Sequence, residues 1–245
     1  MGTFGGANIV RDGLVGVIDG GAYNRMNPET VGADFKFSLL EGTPAQRVFV
    51  NDATTVPSTA PYDFGFGADR NTYIQIPAAD GTFPTDNGPF DFSAGDGYSV
   101  NVWVMRTGYG TWQSGTTNYD GIWNYYWNHY LAFRGQNYTG NKIFGTGLSD
   151  YDIEMDRYYN VSMTHNNSDG AHKVYIDGNL QQSSTQSNPT LDSGNIRRFY
   201  VGNLDSSCSC VGRIPLIRVY NKVLSADEIE ENFNATKTRF GLWII

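Results

Sequence analysis

The chain has 245 residues and a formal net charge of −8, with 29 Gly, 16 Tyr and 14 Phe and only 17% charged residues. That turn-rich, aromatic-rich profile excludes a disordered chain, and the acidic balance opposes binding to a phosphate backbone. The length suits one large β domain.

The chain opens MGTFGGANIVRDG, with no apolar stretch long enough for a signal peptide. Position 6 is Gly where a myristoylation signal needs Ser or Thr. No segment approaches the length of a membrane span. The expectation is no membrane insertion and no secretion route in the sequence itself. The sequons at Asn137, Asn160, Asn166 and Asn234 then read as chance matches. Residues 1–8 read as a loose N-terminal arm.

Period-two runs follow. LVGVID (14–19) is the first, and TYIQIP (72–77) the second. YSVNVWVM (98–105) sets Val100, Val102 and Val104 on one face and Ser99, Asn101, Trp103 and Met105 on the other. Between Tyr109 and Phe133 stand nine aromatics in 25 residues, among them Trp112, Tyr119, Trp123, Tyr126 and Trp127. Asn118, Asp120, Asn124 and Asn128 lie between them. Filling a core is the first reading of this run, a protein interface the second and a glycan surface the third, since exposed aromatic faces stack on sugar rings. On the first reading Trp123, Tyr125 and Trp127 share one face and Asn124 and Tyr126 the other.

DYDIEMDR (150–157) alternates Asp152, Glu154 and Asp156, which would set three carboxylates on one strand face. Retaining glycosidases need two carboxyls roughly 5–5.5 Å apart. A charged connector is the preferred reading, because acidic residues favour exposed turns. YYNVSMTH (158–165) is the next strand. HKVYIDGNL (172–180) is a hairpin whose Asp177-Gly178 supplies the positive φ angles of a tight turn. His129, His165 and His172 have no ligand-like spacing and read as structural.

Cys208 and Cys210 are too close in sequence for an unstrained mutual disulfide and too few for a zinc site. They read as reduced thiols in a surface loop, with a metal site completed by a symmetry mate as the alternative. RRFYVG (197–202) and IPLIRVY (214–220) complete the strands, Pro215 falling at an edge or end. Arg197, Arg198, Lys237 and Arg239 read as solvated charges. No long helical pattern interrupts these runs, which argues for an antiparallel all-β domain, most simply two packed sheets.

NKVLSADEIEENFNAT (221–236) is the exception. Ser225 and Glu228 form a capping box, and Leu224 with Ile229 a hydrophobic staple. The helix runs over 225–234, with Ile229 and Phe233 on one face and Asp227, Glu230, Glu231 and Asn232 on the other. So short a helix needs a folded surface to rest on. After it comes an apolar tail over 238–245. Phe240, Leu242, Trp243, Ile244 and Ile245 there read as a partner-binding element, with docking onto the chain's own edge as the alternative.

The order IVRDGLVGVIDGG, FGFGADRNTYIQIP, YSVNVWVM, RYYNVSMTHN, KVYIDGNL, FYVGN and IRVYNKVLSADEIEENFNATKTRFG resembles the concanavalin A-like lectin/glucanase superfamily, in its laminin G-like jelly-roll branch. It is similar to the versions in structural proteins of tailed bacteriophages. The resemblance spans roughly residues 9 to 241, and its most specific part is the last strand followed by Leu-Ser-x-x-Glu-Ile. It implies a two-sheet antiparallel β-sandwich over 9–237, with the helix laid over its edge.

It also implies a non-enzymatic virion structural protein, such as a capsid decoration or tail-associated subunit, assembled in the host cytoplasm. Partners would be other virion proteins and further copies of the chain. A glycan-binding adhesin recognising cell-surface glycan is the alternative, and a glucanase-type hydrolase the second alternative. The glucanase pattern begins and ends in Glu around Asp, the inverse of the types at 152, 154 and 156. For Ca2+ the resemblance points to Asp19 and Asp69, although Pro215 stands where many relatives carry an acidic residue.

Overall fold

The computed structural model describes residues 9–19, 35–36, 47–51, 65–66, 73–76, 95–108, 118–125, 129–135, 141–145, 148–185, 199–201 and 212–242. Within them the first strands are β1 (Leu14–Asp19), β2 (Phe35–Lys36), β3 (Arg47–Asn51), β4 (Gly65–Phe66) and β5 (Tyr73–Ile76). Next come β6 (Gly97–Arg106), β7 (Asn118–Tyr125), β8 (His129–Gly135), β9 (Asn141–Gly145) and β10 (Leu148–Ile153). The last are β11 (Tyr158–Asn166), β12 (Ala171–Ile176), β13 (Asn179–Thr185), β14 (Phe199–Val201) and β15 (Gly212–Tyr220). Helix α1 (Ala226–Thr236) and a 3-10 turn (Lys237–Phe240) follow. The all-β expectation with one short C-terminal helix holds.

The strands form two antiparallel sheets. The first runs β1-β15-β6-β11-β12-β13, with β4 also on β15. The second runs β10-β9-β8-β7-β14-β5-β3-β2. At the centre of the first sheet, Val102 lies between Ile217 and Val161, and Val100 between Val219 and Met163. These six side chains are at most 1% exposed. A face so fully removed from water needs a second layer over it.

The opposite face of β6 is buried as well, which its polar alternation does not suggest. Asn101 donates to Asn160 Oδ1 (2.9 Å) and Ser162 Oγ (2.7 Å), and accepts from Arg218 Nη1 (3.1 Å). Burial of these groups is tolerable because they bond one another. The residues of this face lie under α1.

Helix α1 starts as its sequence dictates. Ser225 is the N-cap, and both halves of the capping box with Glu228 are formed. Leu224 and Ile229 join one core cluster with Val10, Leu14, Tyr175 and Tyr220. Trp103 donates from its indole to Thr236 Oγ1 (2.9 Å) and stacks on Phe233, with ring centroids 5.9 Å apart.

Two expectations are corrected here. The helix does not close an edge: its contacts with Trp103 on β6 and the Tyr175–Tyr220 cluster place it across the middle of the sheet. Nor is Asn232 on a solvent face. It is fully buried, and its Oδ1 accepts from the Val10 N–H (3.1 Å) and the Tyr220 hydroxyl (3.3 Å).

The tail also departs from expectation at its first apolar residue. Phe240 is 7% exposed and stacks on Trp103 with centroids 4.3 Å apart. Leu242 packs against the same cluster. The ring of Phe240 is thus used within the chain, over the sheet face rather than as an edge strand. Trp243, Ile244 and Ile245 lie outside the described residues, as do residues 1–8.

The predicted hairpin is present, with Asp177 at φ 50° and Gly178 at φ 80°. Only glycine suits position 178, since a Cβ there would also meet the Phe233 ring at 3.2 Å. No helix among the described residues is long and apolar enough to cross a membrane.

Candidate functional site

The register of the second sheet sorts its residues into cross-strand rows. One row is Phe49–Gln75–Tyr200–Asn124–Tyr130. The next is Val50–Ile74–Val201–Trp123–Leu131. Further along come Gly121–Ala132–Phe144, then Asp120–Phe133–Ile143–Tyr151, then Tyr119–Arg134–Lys142–Asp152. Alternate rows belong to opposite faces.

Two side chains fix which face is which. Ile143 is fully buried, while Asp152 is exposed. The rows that share Ile143's face are dominated by apolar residues. Those that share Asp152's face combine aromatic, amide and charged residues. This second set is the candidate site.

The expected aromatic residues divide accordingly. Tyr119 stands in the row of Asp152, whereas Trp123 stands in the row of Val50, Ile74, Val201 and Leu131. A register shift between Gly121 and Trp123 puts the two out of phase, although they are four residues apart. Trp112, Tyr126 and Trp127 lie outside the described residues. Asn124 and Tyr130 belong to the aromatic-rich run already singled out in the sequence, whereas Arg134, Lys142 and Tyr200 join the set without such a signal.

Asp152, Glu154 and Asp156 do not line one strand face. Strand β10 ends at Ile153. Glu154 donates its N–H to the Tyr159 hydroxyl (2.8 Å), and Asp156 sits at φ 59° with its N–H bonded to Arg106 O (2.9 Å). The segment is a connector turning into β11.

Beside it is a clasp. Arg157 Nη2 reaches Asp177 Oδ2 (3.1 Å), and its guanidinium lies 4.5 Å from the centroid of Tyr159. Asp177 Oδ1 accepts the Asn160 N–H (2.8 Å). Burial raises the Asp177 pKa, against the opposing pull of the Asn160 N–H and Arg157. Both carboxylate oxygens are engaged, so Asp177 pins the hairpin turn to β11. Nearby, Gln182 on β13 accepts the Ser149 N–H (2.6 Å) and so ties one sheet to the other.

His165 and His172, read as structural, lie opposite each other on β11 and β12 and are fully buried. One ring donates to the other, Nδ1 to Nε2 being 2.9 Å. Burial, and then the neighbouring His165, push the His172 pKa down to about 4. Burial also lowers that of His165, with Asp169 and Asn167 opposing.

The calcium candidates are Asp19 and Asp69. Asp19 lies opposite Leu216 on β15, and Asp69 is outside the described residues. Among the described residues no three His, Cys, Asp or Glu come together. Cys208 and Cys210 are outside them too.

Two antiparallel sheets followed by one short C-terminal helix define a mostly antiparallel β domain. Residues 66–230 match a laminin G-type family model described as the concanavalin A-like lectin/glucanases superfamily, and the chain belongs to that superfamily. No curated protein matches the sequence.

Among solved structures, a Trypanosoma rangeli sialidase in complex with sialic acid matches with a TM-score of 0.61 and 16% identity over 95% of this chain. The chain spans 34% of the length of that sialidase. Domain 4 of an extracellular arabinanase from Geobacillus stearothermophilus, in complex with arabinotriose, matches with a TM-score of 0.51 and 18% identity. The match covers 89% of this chain and 97% of that domain. The receptor binding domain of a botulinum neurotoxin C/D mosaic serotype matches with a TM-score of 0.57 and 15% identity, over 92% of this chain and 52% of that one.

These findings overturn the expectation of a bacteriophage virion subunit. That expectation rested on a resemblance of the sequence segments, whereas the similar structures include a sialidase, a domain in complex with arabinotriose and a receptor binding domain.

Proposed function

We propose that this domain is a non-catalytic glycan-binding module. The observation that carries the reading is the backbone register of the second sheet, which assigns Tyr119, Asn124, Tyr130, Arg134 and Tyr200 to rows on the same face as Asp152. Aromatic and amide residues are the usual equipment for sugar rings and their hydroxyls. The family, and neighbours whose titles name sialic acid and arabinotriose, support the same class of ligand.

The case against catalysis is local: Asp152 lies on β10, while Glu154 and Asp156 lie in the turn beyond it. The test is a glycan array, followed by the variants Asn124→Ala and Tyr130→Ala. Binding in the wild type that is lost in both variants, at unchanged melting temperature, supports the proposal. A protein that retains no glycan sinks it. Reducing ends released from a polysaccharide would show that the domain is a hydrolase instead.

A further inference from the structure

The outermost strands of a sheet offer N–H and C=O groups to any strand that comes alongside, and soluble domains blunt them with charges, bulges or shortness. Three of the four sheet ends here are blunted. β2 is two residues long. β1 carries Asp19 and a register break between Leu14 and Gly16. β10 carries Asp150, Asp152 and a break between Leu148 and Tyr151.

β13 differs. It ends the first sheet, and among the described residues it pairs only with β12. Its seven residues, NLQQSST, hold no charge and no proline, in a chain of net charge −8. One register break falls near its start, after which Gln182–Thr185 run in step with β12. Gln182 is spent on Ser149 of β10, which anchors the strand. Gln181, Ser183 and Thr185 are exposed. Leu180, 52% exposed, is the one large hydrophobic so placed among the described residues.

We propose that β13 is a self-association edge: two copies of the chain pair these strands antiparallel about a two-fold axis, joining their first sheets into one. The charge pattern favours a second copy as the occupant. Two-fold pairing brings a strand against itself, so any charge on it meets its own copy nearby. β13 is free of that penalty, whereas the acidic edges β1 and β10 are not. Ser and Thr side chains set across such a seam add to the pairing, and Leu180 gains cover. On the glycan-binding reading, the dimer offers two sites, which strengthens attachment to repeated sugars without new contacts. The pairing itself does not rest on that reading.

Sedimentation of the whole chain over a dilution series, without sugar, tests it. A monomer–dimer equilibrium is expected, with amide exchange at residues 182–185 slowing as the dimer fills. Ser183→Lys combined with Thr185→Lys should abolish the dimer while the chain stays folded. The added lysines reduce the net negative charge, so general repulsion cannot explain the loss. Glu231→Lys, exposed on α1, makes the same change in charge and should leave the dimer intact. If the double variant fails to fold, Ser183→Lys alone takes its place. A monomer at every concentration, a dimer that persists in the folded lysine variant, or a dimer without slowed exchange at β13 overturns the inference. A negative glycan array overturns the glycan reading alone.

Discussion

His165 Nδ1 and His172 Nε2 lie 2.9 Å apart between strands β11 and β12, with neither ring exposed. The turn joining the strands is short, so two histidines seven residues apart become direct cross-strand neighbours. Tyr98 on β6 completes the cluster, its ring 5.4 Å from that of His165.

This pair makes the fold acid-sensitive. His172 titrates near 4 in the folded chain and near 6.5 without its surroundings. Between those values the unfolded chain binds a proton that the folded chain does not, so stability falls as pH falls through the window. The full loss attributable to His172 is about 3 kcal/mol. Urea midpoints measured from pH 7 to pH 4 should show the decline, and His172→Gln should flatten it. An unchanged slope in the variant would assign the acid sensitivity to other groups.

Asn232 offers a second test. Its Oδ1 satisfies a backbone N–H from the other end of the chain and a buried hydroxyl. Asn232→Leu should cost about 1–3 kcal/mol by stranding both donors. Ser225→Ala should cost about 1 kcal/mol through the lost cap. Denaturant unfolding ranks the two, and a neutral Asn232→Leu would mean that water replaces the amide at no cost.

What could be read in the sequence was local. The capping box, the staple and the Asp177-Gly178 turn involve residues within five positions of each other, and all three formed. Asn232 could not be read, because a helical wheel assigns a polar residue to solvent and its partner Val10 is 222 positions away. The row of Tyr119, Arg134, Lys142 and Asp152 was hidden for another reason. It depends on the register shift between Gly121 and Trp123, which uncouples Tyr119 from the Trp123 with which its spacing groups it. Both faces of β6 are buried for a reason the strand does not contain: the helix lies over its polar side.

The carboxylates of the connector should prove dispensable for ligand binding and for folding, apart from Asp152, which shares a row with Lys142. Glu154→Gln with Asp156→Asn should leave glycan binding and the melting temperature unchanged. A loss of hydrolytic activity in that double variant would show that the turn is a catalytic element after all.

The sharpest structural prediction concerns Phe240. As a free, partner-seeking tail it would be removable without harm. Its ring instead stacks on Trp103 and lies 5.2 Å from that of Tyr158, while Leu242 packs beside it. Gly241, at φ 77°, ends the 3-10 turn with its N–H bonded to Thr238 O, which sets the ring's approach. Phe240→Ala should therefore cost roughly 3–5 kcal/mol, the usual range for deleting a buried aromatic ring. The half-buried Phe233 should cost less on the same substitution. Trp103 reports the change directly, since losing its stacking partner wets the indole and moves its emission to longer wavelength. A Phe240→Ala protein with the wild-type urea midpoint would return the apolar residues of the tail, Phe240 among them, to the role of an element that acts outside its own chain.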